Sequence, residues 1–448
     1  MLTRRQAPPS PPAVRRDGQR WGVIGGGMLG STLAHRLAGQ GAHVVIWEGG
    51  PSLGGLAAPW QVGDVTWDRF YHVTLASDAH LLALLGEIGL AERLRWTTTT
   101  TGSYASGRLH PLSGPIDYLK FPALGAVDKA RLAATLVAGT LRRDWASLER
   151  IPVEEWLIKW SGRRAFDRFW LPLLRAKLGS GYRETSAAFI WATIQRLSAA
   201  RRAGLAERFG YVPGGYATTL DALTSTLVAE GVEVRCNTAV TSVRPDGAEL
   251  VVASGSAPER FDGVVVTAAP PVAARLCPDL SGAELDALRS IRYRGVVCTS
   301  VVLRRPLAGY YLTYLMDDAP FTTIVEMSSI VDPRELGGHT LVYLPLYLAS
   351  EDPMFAEADD AIEGRMLSGL FQIYPDLHED DVLAVRTAKA RFVFPLPVVG
   401  YSRSVPSVST SIRGLNLLSS AQIINATLNV NETVALADDA APRLRVAE

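Results

Sequence analysis

The sequence predicts an α/β fold in which helices cover a parallel sheet and a second lobe accompanies it. A short apolar strand, RWGVI, leads into a Gly-x-Gly-x-x-Gly loop and an apparent helix. Consecutive valines at 264–266 are typical of a parallel strand that is buried on both faces. The chain has 448 residues, more than a single core of roughly 250–300 residues accommodates, so we expect at least two lobes.

The glycine loop has the pattern of a dinucleotide-binding turn. Gly25 permits the tight turn, Gly27 lets the backbone approach a pyrophosphate, and Gly30 lets the helix pack closely on the strand. Met28 and Leu29 begin the helix, whose free amides and positive dipole end attract phosphate. These five residues are therefore predicted to bind the cofactor's pyrophosphate.

The strand after this helix, HVVIWE, is apolar until it ends in Glu48. A carboxylate at this position accepts hydrogen bonds from both hydroxyls of an adenosine ribose and repels a 2'-phosphate. The order of strand, glycine loop, helix, strand and acid predicts a Rossmann-type dinucleotide-binding domain and disfavours NADP.

Composition and charge limit the classes of partner. Hydrophobic residues make up 48% of the chain and charged residues 20%, and 45 basic residues balance 45 acidic ones. A nucleic-acid footprint is therefore not favoured, and we expect a small-molecule substrate. Three widely spaced cysteines indicate reduced thiols, and no metal site is predicted. Without an apolar run of roughly 18 residues or an export signal, we expect a cytoplasmic protein with no integral membrane segment and a disordered, basic, Pro-rich tail at 1–19.

A second glycine pair follows the acid closely. EGGPSLGGLAAPW places Gly54 and Gly55 six and seven residues after it, with Leu56 next. This spacing resembles the flavin amine oxidase superfamily, which includes protoporphyrinogen oxidases and phytoene desaturases. The resemblance implies that FAD is the cofactor and that the glycine pair passes its phosphates and ribityl chain. Residues 209–247 are similar to the family's central block, which implies a backbone contact between Val240 and the adenine.

The resemblance also implies that the cofactor domain is discontinuous. A Rossmann-type (GR2-like) FAD-binding domain is predicted at residues 20–100, 206–280 and 401–445. An α+β substrate-binding domain of mixed sheet and helices is predicted at 101–205 and 281–400. Amphipathic helical patterns fill the first insertion, and runs rich in Val, Thr and Tyr fill much of the second.

Asp68 and His72, in TWDRFYHVTLASD, are the candidate catalytic residues. The resemblance implies that this segment passes the isoalloxazine ring. An imidazole there could hydrogen-bond flavin or substrate, or accept a proton when a hydride leaves for the flavin. The alternative is a structural histidine bonded to Asp68 or to backbone, and spacing does not separate the two.

Four further residues are candidate substrate contacts. Arg175 and Lys177 carry charges that suit a carboxylate or phosphate, although the solvated basic edge of an amphipathic helix is the commoner explanation. Tyr343 and Tyr347 lie on one face of LVYLPLYL, where they line the pocket or pack within the sheet.

The C-terminal segment is predicted to close the flavin site. In the family, the last strand leads into a helix whose N-terminal amides face the pyrimidine edge of the flavin. Here the usual Gly-Asp after the strand is absent, so Ser420, Gln422, Asn429 and Asn431 are predicted to replace its contacts. No cysteine motif for covalent attachment is present, and non-covalent FAD is expected.

Two enzymatic functions and one non-catalytic alternative remain. Cys298 occupies the position where amine-oxidising members often carry a lysine, which argues against amine oxidation. The prediction is an FAD-dependent oxidoreductase that desaturates or dehydrogenates a small organic substrate by hydride transfer to flavin N5. The alternatives are a UDP-galactopyranose mutase-like flavoenzyme that acts on a sugar nucleotide without net redox, and a flavin-binding scaffold without chemistry.

Overall fold

A computed structural model describes residues 15–113, 117, 120–122, 124–202, 208–424, 426–444 and 446, with backbone alone at 197–202. The strands are β1 (Arg20–Ile24), β2 (His43–Trp47), β3 (Pro59–Val62), β4 (Val65–Asp68), β5 (Thr74–Leu75), β6 (Arg95–Thr98), β7 (Thr101–Ala105), β8 (Arg108–Pro111), β9 (Arg208–Tyr211), β10 (Glu233–Arg235), β11 (Ser242–Asp246), β12 (Glu249–Ser254), β13 (Ser256–Phe261), β14 (Gly263–Val266), β15 (Tyr293–Leu303), β16 (Leu312–Leu315), β17 (Thr323–Glu326), β18 (Thr340–Ala349), β19 (Val382–Pro395) and β20 (Leu415–Leu417). The helices are α1 (Met28–Ala38), α2 (Ala79–Glu87), α3 (Ala126–Leu141), α4 (Val153–Ser161), α5 (Arg163–Ala165), α6 (Leu171–Leu178), α7 (Ala187–Arg202), α8 (Gly215–Ala229), α9 (Pro270–Leu276), α10 (Gly282–Ser290), α11 (Asp359–Ile373) and α12 (Val430–Ala440).

The first sheet is parallel and has the order β10-β2-β1-β14-β20. Helices α1, α2, α8 and α12 share a core on one face. The antiparallel strands β11–β13, with α9 and α10, cover the other face. Strand order reverses between β1 and β14, and ligands bind at such a switch point, beyond the carboxyl ends of the strands. This arrangement confirms the predicted α/β class with a Rossmann-type sheet.

The second sheet is mixed and has the order β19-β15-β18-β17-β16-β7-β8. Its neighbours are antiparallel except for the parallel pair β16 and β7. All eleven residues of β15 are buried, as expected for a central strand rich in valine. One face packs against β3, β4 and the loop after β4, and α11 covers the other. The mixed sheet therefore meets the cofactor domain at the segment from Asp68 to His72, which is the predicted catalytic loop.

Helices α3–α7 form a lobe with its own core beside the second sheet. One of the amphipathic helical patterns predicted in the first insertion, over 153–179, is broken at Gly162, because its φ of +84° is incompatible with a continuing helix. A π-helical turn at Phe166–Trp170 then leads into α6. Helix α6 packs on β18, so residues of the helical insertion reach the mixed sheet.

Two predicted segment boundaries, at residues 19 and 280, do not match the packing of the residues next to them. Arg16 is 2% exposed, and its guanidinium donates to the carbonyls of Ala441 and Leu444, so the predicted tail at 1–19 is too long at its C-terminal end. Residues 1–14 lie outside the described residues. The boundary at residue 280 falls before α10, yet Leu288 of that helix shares the core of the parallel sheet. The other domain limits stay predictions.

Candidate functional site

The glycine loop between β1 and α1 leaves a space beside Gly27. Gly25 has φ +106°, and a Cβ there would lie 2.5 Å from Thr267 Oγ1, so the fold itself needs glycine. A Cβ on Gly30 would overlap the carbonyl oxygen of Gly25. Gly27 has φ −66°, and the nearest described atom to its Cβ would be Gly55 Cα at 3.9 Å. Because neither backbone nor packing requires glycine at 27, the open space fits a pyrophosphate approaching the amides of α1.

The second glycine pair forms the opposite wall of this space. The amide of Gly54 donates to the carbonyl of Gly26 at 2.8 Å, which holds the two loops together. Gly54 has φ +123°, and a Cβ would lie 2.5 Å from Leu220 Cδ1. Gly55 also has positive φ, and Leu56 packs against the core beneath the predicted catalytic loop. The second pair thus requires glycine for its own backbone and packing, while the space beside Gly27 stays open, which suits a cofactor lying along the two loops.

Glu48 lies directly after β2, as predicted, and its carboxylate binds backbone. Oε2 accepts from the amide of Gly26 at 2.8 Å, and Oε1 accepts from Gly50 at 2.7 Å. The carbonyl of Glu48 accepts from the amide of Thr238, which places the segment containing Val240 next to the acid. The carboxylate therefore orders the glycine loop and also lies where an adenosine ribose is predicted.

Ser420 and Gln422 occupy the turn after β20. Ser420 Oγ lies 3.0 Å from the hydroxyl of Tyr293 at the start of β15. Gln422 Oε1 accepts from the amide of Ser419 at 2.8 Å, and Nε2 donates to the carbonyl of Pro406 at 3.1 Å. Both amide ends of Gln422 thus stabilise the turn, a role that the sequence prediction did not include.

Asn429 and Asn431 have similar structural roles. Asn429 Oδ1 accepts from the amide of Glu432 at 3.0 Å and caps α12. Asn431 Oδ1 accepts from the amides of His80 and Leu81 at 3.0 and 3.1 Å, which ties α12 to the start of α2. Contacts between these side chains and the flavin stay predictions.

Asp68 is a buried acid at the end of β4, and its carboxylate faces the start of α8. Its Oδ1 accepts from the amide of Tyr216 at 2.8 Å, while its carbonyl accepts from the Tyr343 hydroxyl at 2.5 Å. Burial raises the pKa of Asp68 to about 7, although the Tyr216 hydrogen bond opposes the shift. The fully buried Tyr343 therefore supports the catalytic loop from below instead of lining an open pocket.

His72 is held in its neutral form. Burial lowers its pKa to about 4, although a hydrogen bond with the backbone of Phe70 opposes the shift, and its ring lies 5.1 Å from that of Tyr216. Nδ1 is buried and has no hydrogen-bond partner among the described residues. Asp68, His72 and Tyr216 line one small cavity, but no bond between the acid and the imidazole is formed. A buried nitrogen without a partner is uncommon and indicates a site that a ligand or proton completes.

The structure separates the two candidate cations of α6. Arg175 is exposed, whereas Lys177 points inward, with Nζ 3.7 Å from the ring centroid of Tyr347 and 5.1 Å from that of Phe394. The hydroxyl of Tyr347 lies 2.9 Å from that of Tyr71. Lys177 and Tyr347 are thus brought together beside the catalytic loop, and Arg175 is not.

Tyr71 and Arg196 are missing from the sequence prediction. Tyr71 lies within the quoted DRFYH run, so its neighbour His72 was a usable signal. Arg196, on α7, lies 3.8 Å from Asp78 and donates to Thr427 Oγ1 at 3.2 Å. No sequence pattern marks this contact between the helical insertion and the C-terminal segment.

A profile of the family described as "Flavin containing amine oxidoreductase" matches residues 32–415. The chain belongs to this family. The match begins within α1, after β1 and the first glycine loop, and it covers the mixed sheet, the helical insertion and strands β2, β10 and β14 of the parallel sheet. It confirms the predicted resemblance to the family. FAD is the cofactor of this flavoprotein, and the space between the two glycine loops fits it.

Known relatives resemble parts or all of the chain. A coproporphyrinogen III oxidase of Mycobacterium leprae is 28% identical over 223 residues, which are 45% of this chain and 49% of the relative, so the chain spans about half the length of that relative. A candidate protoporphyrinogen oxidase from Exiguobacterium sp. 255-15 has a TM-score of 0.75 at 20% identity, covering 95% of this chain and 98% of the other. Reduced UDP-galactopyranose mutase has a TM-score of 0.72 at 14% identity, covering 94% of each chain. The two structures show a shared fold.

Within the described residues, no helix combines the length and apolar character needed to cross a membrane.

Proposed function

We propose that the chain is an FAD-dependent oxidoreductase that desaturates or dehydrogenates a small organic substrate. The observation that carries the proposal is His72, a half-buried residue whose buried Nδ1 has no partner among the described residues and whose pKa is lowered by desolvation. Bound FAD supplies the hydride acceptor. Oxidation of a carbon centre also releases a proton, and a neutral imidazole is able to accept it.

The proposed residues divide the work. Gly25, Gly27, Met28, Leu29 and Gly30 hold the pyrophosphate through the open side of the loop and the start of α1. In addition, Glu48 binds the adenosine ribose, and the segment that contains Val240 contacts the adenine. The second glycine pair, Gly54 and Gly55, and the adjacent Leu56 lie along the ribityl chain. The absence of a cysteine motif near the C-terminus supports non-covalent attachment.

Asp68 positions the proton acceptor. Its carboxyl and carbonyl groups tie the catalytic loop to the Tyr216 amide and the Tyr343 hydroxyl, so the loop that carries His72 is fixed at both sides. With a pKa of about 7, Asp68 holds a proton for part of the time near neutral pH. Its average negative charge near neutral pH is therefore smaller than that of an ordinary aspartate.

Amine oxidation is not proposed. The position where amine-oxidising members often carry a lysine is occupied by Cys298, which is fully buried in β15. Burial raises the pKa of this thiol well above its ordinary value, so it stays uncharged and does not replace an amine.

The test is anaerobic flavin reduction. Purified protein is titrated without oxygen with a porphyrinogen, an isoprenoid, a sugar nucleotide and a natural-product intermediate, and the flavin absorbance is followed. Bleaching by one class, with recovery in air, supports the oxidoreductase. An isomeric product formed only after prior reduction would instead support the mutase-like alternative. A protein that takes up no FAD would contradict both.

Balanced charge supports a small-molecule partner and no nucleic-acid partner. The three widely spaced cysteines, which indicate reduced thiols, support a cytoplasmic location. Fractionation of the producing cell tests the location.

A further inference from the structure

Lys177 lies between aromatic rings at the junction of α6 and the mixed sheet. Its Nζ is 3.7 Å from the ring centroid of Tyr347 and 5.1 Å from that of Phe394. Phe394 is 6% exposed, so these rings form an apolar wall. Through its hydroxyl contact with Tyr71 at 2.9 Å, Tyr347 connects this wall to the loop that carries His72. The amine is therefore one tyrosine pair away from the proposed catalytic loop.

Lys177 is half-buried, and its charge has no counter-ion among the described residues. Among the described residues, no carboxylate lies within ion-pair distance of Nζ, and the nearest charge that acts on it is the like charge of Arg196. Burial, followed by Arg196, lowers the pKa of Lys177 to about 7. The other titratable or charged groups on or next to the elements packed against α6 are five tyrosine hydroxyls, one buried cation and four exposed ions: Tyr71, Tyr182, Tyr314, Tyr343, Tyr347, Arg294, Asp167, Arg168, Arg183 and Glu184.

An unpaired ammonium among aromatic rings is costly unless an anion joins it. The ring faces attract a cation only modestly, whereas a charge-assisted hydrogen bond to a carboxylate or phosphate oxygen is stronger. Arg175 provides the contrast on the same helix, since it is exposed and fully solvated without any such requirement. The missing partner of Lys177 is therefore expected to arrive with a ligand.

We propose that Lys177 binds an anionic group of the substrate against the Tyr347 and Phe394 rings and takes up a proton as the anion binds. The inference rests on the proposed function, because it places the substrate in the same site, and it names the substrate class as an apolar or aromatic molecule that carries a carboxylate or phosphate. The neutral amine gains one proton from solvent, and no covalent bond changes. Since the anion stabilises the ammonium form, affinity falls as the pH rises above the pKa of free Lys177 and is constant below it.

The test uses the FAD-loaded protein and benzoate, an aromatic carboxylate, with benzamide as its neutral counterpart. Calorimetry in two buffers of different ionisation enthalpy, one pH unit above and one below the pKa of Lys177, measures both affinity and proton uptake. We expect tighter binding of benzoate than of benzamide and uptake of close to one proton at the higher pH. Lys177→Met should weaken benzoate binding roughly ten- to a hundredfold, while Arg175→Met, the matched control, leaves it unchanged.

Lys177→Arg separates charge from proton uptake. Arginine stays charged, so this variant should bind benzoate without taking up a proton. It also keeps the test decisive if Lys177→Met fails to fold, together with the pH dependence of the unaltered protein. Equal benzoate affinity in Lys177→Met, no proton uptake above the pKa, or no benzoate binding at millimolar concentration would each overturn the proposal. Loss of FAD binding overturns the proposed function instead, and benzoate binding at Lys177 is then still measurable.

Discussion

The two ends of the cofactor site differ in how they use polar groups and space. At Gly27 there is open space where a side chain would lie, and at His72 the buried Nδ1 has no hydrogen-bond partner among the described residues. In the C-terminal segment, the side-chain amide oxygens of Gln422, Asn429 and Asn431 accept hydrogen bonds from backbone amides. The first region is prepared for a ligand, whereas the side chains of the second maintain the turn and helix that close the fold.

This difference shows that polarity alone does not identify a ligand contact. An asparagine before a helix is as well suited to capping the helix as to binding a ligand, because its side-chain oxygen can accept a hydrogen bond from a backbone amide or from a ligand. A glycine whose backbone and packing do not require it is more informative, since a side chain is excluded for some other reason. Four predictions test the contrast, from the largest expected effect to the smallest.

Gly27→Val should abolish FAD retention while the fold persists. Its Cβ would meet no described protein atom closer than 3.9 Å, so the valine occupies only the space proposed for the pyrophosphate. The measurement is flavin absorbance of the purified protein together with circular dichroism. Gly86→Val in α2 is the control, because a Cβ there also meets nothing within 4 Å. A Gly27→Val protein that retains a full complement of FAD would contradict the assignment of the pyrophosphate site beside Gly27.

Asp68 and His72 should give opposite pH dependences of stability. As the pH falls from 6.5 to about 4, the unfolded state protonates His72 first, so the free energy of unfolding decreases. As the pH rises from 3.8 to about 7, the unfolded state ionises Asp68 first, so it also decreases. Each effect is worth roughly 2–3 kcal/mol over two pH units, and the two nearly cancel in the unaltered protein.

Single substitutions reveal how each residue changes the pH dependence of the free energy of unfolding. Relative to the unaltered protein, Asp68→Asn should gain stability as the pH rises across this window, and His72→Asn should lose it. Urea unfolding at the two ends of the window measures the difference. Parallel changes in both variants would show that the catalytic loop is not the ligand-ready, desolvated region described here.

Asn431→Ala should destabilise the fold by about 2 kcal/mol without reducing FAD affinity, because it leaves the buried amides of His80 and Leu81 without their acceptor. Asn431→Asp keeps the acceptor oxygen and serves as the control. Urea unfolding and FAD titration are measured together. Loss of FAD at unchanged stability would restore the contact that the sequence suggested.

Asn429→Ala should cost about 1 kcal/mol, the usual value for a lost N-cap, and Asn429→Ser should be nearly neutral. Thermal unfolding of the FAD-loaded protein provides the comparison. Equal effects of alanine and serine would argue that capping is not the role of this residue.

The sequence was most informative where one local element carries the requirement. The Gly25–Gly30 loop, Glu48 and the second glycine pair are close in the chain, so their spacing predicted their geometry. Arg175 and Lys177 are equally close, but which one points inward depends on α6 packing against β18. The break at Gly162 and the partner of Arg196 likewise depend on neighbours distant in sequence.

By itself, the sequence determined the α/β class, the family and the cofactor loop, because strand–turn–helix order and glycine spacing are local properties of the chain. Only the tertiary structure decided which polar groups lack partners. It gave Asn429 and Asn431 backbone amides to bind, left His72 Nδ1 without a described partner and placed the ammonium of Lys177 against the Tyr347 ring. The physical reason is that burial and pairing depend on residues brought together from far along the chain, and these two factors set which groups remain free for chemistry.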